Sequence, residues 1–166
     1  SLMADMRHVW SHIMPQLAEA PVHLVETSPA LRQRQKDQLA PADLYWHKDL
    51  DDLPATTIFG VANEFFDALP IDQAIWRDGQ NGTAGSWRHR LVGLVDGRLG
   101  FVDGVPLSKA EIDIWHLASR PAPADGSIAE YCAMADAYAA KLATHIAFYG
   151  GACLIIDYGR DGPSGD

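Results

Sequence analysis

Apolar residues at Met3, Met6, Val9, Trp10, Ile13, Met14 and Leu17 recur at intervals of three and four, the spacing that gathers them on one helical face. Pro21 ends that pattern. Val22-His23-Leu24-Val25 is then a short apolar run of strand type, stopping at the acidic Glu26. Thr27-Ser28-Pro29 supplies a cap with proline in the first turn and predicts a polar-faced helix from Leu31 to Leu39. Leu44-Tyr45-Trp46 is a second candidate strand, followed by an acidic turn from Lys48 to Pro54. Thr57 to Ala62 is continuously apolar, as suits a parallel strand covered on both faces. It runs straight into Asn63-Glu64-Phe65-Phe66-Asp67-Ala68-Leu69-Pro70.

The middle changes character. Between Ile71 and Val105 polar and apolar residues alternate, and Asp78-Gly79, Asn81-Gly82, Asp96-Gly97 and Asp103-Gly104 are dipeptides that tolerate positive φ in hairpins. An antiparallel insert is predicted. After a Pro- and Ala-containing loop from Ser119 to Gly126, Ser127-Ile128-Ala129-Glu130 has the capping-box pattern and predicts one Ala-rich helix from Ser127 to Phe148, closed by Gly150-Gly151. Ala152 to Ile156 is a last buried-type strand, delivering Asp157-Tyr158-Gly159 to the carboxyl edge of the sheet. The whole reads as an α/β fold with a mostly parallel sheet and an antiparallel hairpin insert. Residues 1–70 and 127–159 form the core and 71–126 the insert of a single partial domain, 1–166.

With 48% hydrophobic and 21% charged residues the chain can bury a core of ordinary size. Thirteen Lys and Arg against twenty-two Asp and Glu leave a formal charge of -9, which repels a phosphate backbone, so nucleic acid is not expected as a partner. Cys132 and Cys153 are far apart, with no CxxC and no histidine at metal-ligand spacing; a reduced, intracellular chain is the simplest reading and no metal site is expected. No apolar run approaches the roughly twenty residues of a membrane span. The sequence opens at Ser1 without an initiator methionine, so either end could be cut.

Ligands of mostly parallel sheets bind in the crevice beyond the strands' carboxyl ends. Glu26, the Asn63-Glu64 pair with Asp67, and Asp157-Tyr158 are all expected there. A carboxylate at the end of such a strand can accept hydrogen bonds from both ribose hydroxyls; equally, Glu26 can be a solvated turn residue or a cap for the next helix. Asn63 and Glu64 can form a reaction edge, or Asn63 can cap a short helix from Glu64 to Ala68 while Phe65, Phe66 and Leu69 fill core. His23, His47 and His145 stand singly beside apolar residues and read as hydrogen-bonded structural groups. Trp76, Trp87 and Trp115 read first as core, with a partner-binding surface as the alternative.

At these clusters the sequence resembles a known family. Val22 to Pro29, Trp46-His47, Ala62 to Pro70 and Gly150 to Gly159 together resemble the MidA-like methyltransferases, a family that includes the mitochondrial complex I assembly methyltransferase; the likeness spans nearly the whole chain, and Asn63 to Pro70 is its most specific string. The resemblance implies a Rossmann-like class I methyltransferase sheet and S-adenosyl-L-methionine as cofactor. The implied substrate is an arginine side chain of a protein such as a complex I subunit. It implies cofactor-binding roles for Glu26 at the ribose, Asp49 and Leu50 at the adenine, and Asn63 at the methyl donor. Asn63, Glu64, Asp67, Asp157 and Tyr158 are implied at the reaction mouth. Location would be the cytoplasm in a bacterium and the mitochondrial matrix in a eukaryote; self-association is left open.

One departure stands out. The family carries a Gly-rich loop of the form E-x-G-x-G-x-G after its first strand, whereas Ser1 to Asp5 resembles the helix beyond that loop. The chain as written is therefore expected to bind cofactor weakly or not at all, and its substrate region to continue past Gly159. A non-catalytic binding or assembly module of the same fold is the alternative. A nicotinamide-dependent Rossmann enzyme ranks last, because no GxGxxG is present.

Overall fold

A computed structural model describes residues 2–40, 43–119 and 123–158. The chain divides into two compact units, Ser1–Phe59 with Ala140–Ala152, and Gly60–Ala139 with Cys153–Asp166.

The first unit begins with α1 (Leu2–Ile13) and the one-turn α2 (Pro15–Ala18). The apolar face runs on to Leu17, but the helix does not. Pro15 has no N–H to give the preceding turn, so a new helix starts there with proline in its first turn. Next come β1 (Val22–Val25), α3 (Pro29–Leu39) and β2 (Leu44–His47), the sequence-predicted order of strand, acid and helix. Ser28 caps α3, its hydroxyl accepting the Leu31 N–H. Strands β1 and β2 pair in parallel, with Val22 opposite Leu44 and Val25 opposite His47, and Val22 and Leu39 are buried. The Trp46 indole N–H donates to Gln35 at 2.9 Å and so ties β2 to α3. A single 3-10 turn, Leu50–Asp52, occupies the acidic stretch after β2.

Strand β3 (Ile58–Asn63) is the apolar run predicted from Thr57 to Ala62. It pairs with the last strand, and the Ile58 N–H donating to Gly150 O (3.4 Å) and the Glu64 N–H to Ile156 O (2.8 Å) show that the two run in the same direction. Their faces are not covered as the pattern anticipates: Phe59 is 79% exposed and Leu154 59%.

The second unit is built on an antiparallel sheet. Strands β4 (Asp72–Arg77), β5 (Ser86–Val95) and β6 (Arg98–Pro106) form the predicted insert, and Asp96 and Gly97 both take positive φ at the tight β5–β6 turn, as a two-residue hairpin with this twist requires. Helix α4 (Lys109–Ile114) comes next, with Ser108 and Glu111 closing a capping box. The expected helix from Ser127 is corrected here. Ile128–Tyr131 is strand β7, antiparallel to β4 with Ala129 opposite Ala74, and α5 (Ala133–Tyr149) begins after it. The capping-box letters lost to tertiary pairing: one edge of β4 was free, and Ala129 fills a site in the core where it is 2% exposed. The helix is capped instead by Cys132, whose sulfur accepts the Ala135 N–H at 3.3 Å. Strand β8 (Gly151–Ile156) ends the order.

The core of this unit is Ala74, Trp87, Leu107, Trp115, Leu117 and Ala129, with Trp76, Ile112 and Tyr131 packed against it. Trp76 meets Trp87 edge-on and Trp115 stacks on Tyr131, so the tryptophans read from the sequence as core or docking surface are core. Residues 120–122 of the predicted loop, and Gly159 at the predicted sheet edge, lie outside the described residues.

Candidate active site

The predicted site residues fall into two sets, one in each unit. In the first unit Glu26 directly succeeds the last residue of β1. Its Oε1 accepts the Ser28 N–H at 2.8 Å, so it staples the turn into α3. The predicted alternatives are thus not exclusive, because the other oxygen makes no hydrogen bond among the described residues. Arg32, one turn into α3, fixes the strand ends: its Nε donates to the Glu26 carbonyl at 2.6 Å and its Nη2 to the His47 carbonyl at 3.1 Å. One guanidinium thus joins the ends of both strands, on the Glu26 carbonyl and on a His47 carbonyl that also accepts the Glu26 N–H at 3.2 Å.

Asp49 is the cap of the 3-10 turn, and its Oδ1 accepts the Asp51 N–H. The same oxygen lies 2.6 Å from Lys141 Nζ, which also reaches Asp51 at 2.7 Å. That lysine hydrogen bond, and after it the Asp51 N–H, hold the Asp49 carboxyl below the usual carboxylate range, while the two aspartates push the Lys141 ammonium up. Asp52 turns back to accept the Lys48 and Asp49 N–H groups, each at 3.2 Å. The turn is therefore rigid, and Leu50 within it lines an open cleft of about 570 Å³ with Leu53, Lys141, His145 and Phe148. Neither Arg32 nor Lys141 was singled out in the sequence. Lys141 is the single Lys or Arg of α5, which was the available signal.

His23, His47 and His145 each have a hydrogen-bond partner in the fold. His23 Nδ1 and His47 Nε2 are 2.8 Å apart across β1 and β2, with Tyr45 stacked on His23. Burial first, and His47 second, push the His23 imidazolium down. His145 Nε2 sits 3.0 Å from the Thr56 carbonyl. Among the described residues, no group of three or more His, Cys, Asp or Glu side chains could hold a metal ion.

In the second unit β3 and β8 bring Asn63, Glu64, Asp67, Asp157 and Tyr158 to one end of their pair. No helix starts at Glu64, so the reading of Asn63 as a helix cap is corrected. Glu64 instead has φ +48°, a left-handed conformation that costs a residue with a β-carbon about 1 kcal/mol. Its N–H extends the ladder to Ile156 O. Asp157 Oδ2 accepts the Phe66 N–H at 3.0 Å and the Asp67 N–H at 3.1 Å, and Oδ1 accepts the Tyr158 N–H at 2.9 Å. Phe65 turns inward, edge-on to both Phe66 and Tyr138. The Asn63 and Glu64 side chains are exposed and make no hydrogen bond among the described residues. Tyr158 is 83% exposed. An amide and a carboxylate thus project from a strained, well-anchored turn, an arrangement suited to receiving a cationic or hydrogen-bond-donating group.

A family model described as "Putative S-adenosyl-L-methionine-dependent methyltransferase" matches residues 1–165. The chain belongs to this methyltransferase family. Similar proteins are the mitochondrial protein arginine methyltransferase NDUFAF7 of Danio rerio, 31% identical over 201 residues, and of Xenopus tropicalis, 31% identical over 193 residues; each match takes in 100% of this chain, against 43% and 42% of the relative. The human protein of that name is 29% identical over 193 residues, again over 100% of this chain and 41% of the relative. The chain thus spans less than half the length of these relatives. Family membership gives the mixed α/β fold, with its parallel pairs and antiparallel sheet, a methyltransferase context and the family's S-adenosyl-L-methionine dependence.

Proposed function

We propose that this chain is the part of an S-adenosyl-L-methionine-dependent protein arginine methyltransferase that carries the ribose-binding acid and the methyl-acceptor edge, acting on a protein substrate such as a respiratory complex I subunit. The observation that carries the reading is the left-handed Asn63-Glu64 turn, its polar side chains unspent, in a chain of this family. The names of the relatives support arginine as the acceptor. They support the mitochondrion as its place if the source is eukaryotic, and on this reading the compartment is the matrix there and the cytoplasm in a bacterium.

The residues present fit the cofactor. Glu26 keeps one carboxylate oxygen for a ribose hydroxyl after stapling Ser28. Leu50 offers the backbone of a hydrogen-bonded turn, beside a cleft of mixed apolar and polar lining, to an adenine ring, and the Asp49 carboxyl next to it is held below the usual carboxylate range. When bound, S-adenosyl-L-methionine supplies a methyl group already activated on a sulfonium. What remains for the protein is alignment. The Glu64 carboxylate accepts N–H groups of the incoming guanidinium, turns one nitrogen toward the methyl group and stabilises the positive charge it carries. The Asn63 amide orients the same neighbourhood, and Asp67 and Tyr158 border it.

Titration of the full-length protein with S-adenosyl-L-methionine, wild type against Glu26→Ala, tests the cofactor half. Loss of a charge-assisted hydrogen bond worth about 1.5–3 kcal/mol weakens binding roughly ten- to a hundredfold. Transfer of a labelled methyl group to an arginine-bearing protein, wild type against Glu64→Gln, tests the other half. Unchanged binding in the first variant, or full transfer in the second, refutes the reading, and absence of both activities in the wild type would favour a non-catalytic assembly module.

A further inference from the structure

The Glu64 turn is exposed and carries a φ of +48°, which costs a residue with a β-carbon about 1 kcal/mol, so the stabilisation that offsets this cost has to come from what lies beside it. The side chains of the turn do not supply it: Glu64 and Asp67 make no side-chain hydrogen bond among the described residues. Apart from the Leu69 N–H to Phe66 O bond within the segment, the hydrogen bonds to its N–H groups come from the neighbouring strand end. Ile156 O takes the Glu64 N–H, and Asp157 takes the Phe66 and Asp67 N–H groups on one carboxylate oxygen. Its second oxygen is engaged by the Tyr158 N–H. A carboxylate has about four acceptor sites, and three are filled by backbone. Phe65 packing against Tyr138 closes the turn from its other side.

A carboxylate used in this way is poorly placed to receive a substrate proton, but well placed to fix the turn that presents Glu64. We propose that Asp157 is a positioning residue, which acts on methyl transfer only through the conformation of Glu64. This rests on the proposed role of Glu64 at the acceptor nitrogen.

The test is a double-mutant cycle in the full-length protein, measuring kcat and KM for the protein substrate and Kd for S-adenosyl-L-methionine, with amide exchange at Phe66 and Asp67 as an activity-independent readout. Glu64→Ala is expected to lower kcat about a hundredfold. Asp157→Ala is expected to lower kcat about tenfold or more, with cofactor Kd unchanged within about threefold, and to speed exchange at both amides. Adding Asp157→Ala to Glu64→Ala should cost nothing further. Asp157→Asn keeps an oxygen for the Phe66 and Asp67 N–H pair, so it should recover most of the alanine variant's loss. It also remains informative should the alanine variant not fold.

Multiplying losses in the double variant, or equal losses in the asparagine and alanine variants, would overturn the proposal, since the first requires Asp157 to act independently of Glu64 and the second requires it to act through its charge. Full activity of Asp157→Ala beside an impaired Glu64→Ala would overturn it and leave the reading of Glu64 standing. Full activity of Glu64→Ala would remove that reading, and with it the proposal, whatever amide exchange shows.

Discussion

Gly151→Ala is the substitution with the clearest structural cost. Gly151 opens β8 with φ +112°, a conformation effectively reserved for glycine, and a β-carbon there would stand 1.8 Å from the Ile58 carbonyl oxygen and 2.8 Å from its carbon. Backbone cannot rotate away as a side chain can. The strand start has to shift, losing the 3.4 Å hydrogen bond from Ile58 N–H to Gly150 O, while the positive φ still strains the new residue. Positive-φ strain of this kind costs on the order of 1–3 kcal/mol, and a lost ladder hydrogen bond about 1 kcal/mol. Together they amount to roughly 3 kcal/mol, a large share of a stability of about 5–15 kcal/mol. With a urea dependence of about 2 kcal/mol per molar, the unfolding midpoint of the full chain should fall by roughly 1.5 M. Gly97→Ala is the control: Gly97 also has positive φ, at +74°, but nothing lies within 4 Å of the added carbon, so only the backbone preference is lost. It should cost about 1 kcal/mol. Equal midpoints for the two variants would refute the assigned clash with Ile58.

Two more outcomes are expected from the first unit. Lys141→Ala removes the principal cause of the lowered Asp49 carboxyl, so the Asp49 titration tracked by carboxyl-carbon NMR should move up toward the ordinary aspartate range; an unmoved titration would show that the Asp51 N–H alone sets it. The lowered His23 means that the unfolded chain binds a proton before the folded one does. Thermal stability should therefore be complete above about pH 6.5, decline as pH falls through that value and level off below the folded pKa. His23→Gln should flatten that decline, and parallel profiles for the two proteins would exclude His23 as its source.

Much of the framework was legible in the sequence because local and tertiary preferences agreed. Val22 to Val25, the Ser28 cap, Thr57 to Ala62 and the Asp96-Gly97 turn are each where pattern and turn chemistry put them. Ile128–Tyr131 was not, because the open edge of β4 outweighed a capping-box pattern that is only a local preference. Which acids stand at the ends of the strands was legible in the sequence, whereas the conformation and hydrogen bonds of those acids were not. Nothing in the letters Asn63-Glu64 announces φ +48°, since a left-handed turn without glycine is imposed by what lies beside it. Arg32 and Lys141 were missed for a related reason: their partners are a pair of strand-end carbonyls and two turn aspartates, which become neighbours only in the fold.

The acids show how far identity and role can separate. A strand-end carboxylate looks catalytic from the sequence, yet Glu26, Asp49, Asp52 and Asp157 all spend oxygens on backbone N–H groups of adjoining turns. In those four cases the acid fixes the backbone of a turn next to a strand or helix end. Such stapling does not compete with function, because a carboxylate has more acceptor sites than a turn has N–H groups to fill. It ranks the candidates instead. Glu26 has one oxygen committed, Asp157 has both, and Glu64 has neither committed among the described residues. Acceptor capacity left after the backbone is satisfied is the quantity a substrate can use; Glu64 and its neighbour Asp67 both keep all of theirs among the described residues, and the proposed cation contact is assigned to Glu64 because it occupies the left-handed position of the turn that Ile156 and Asp157 hold.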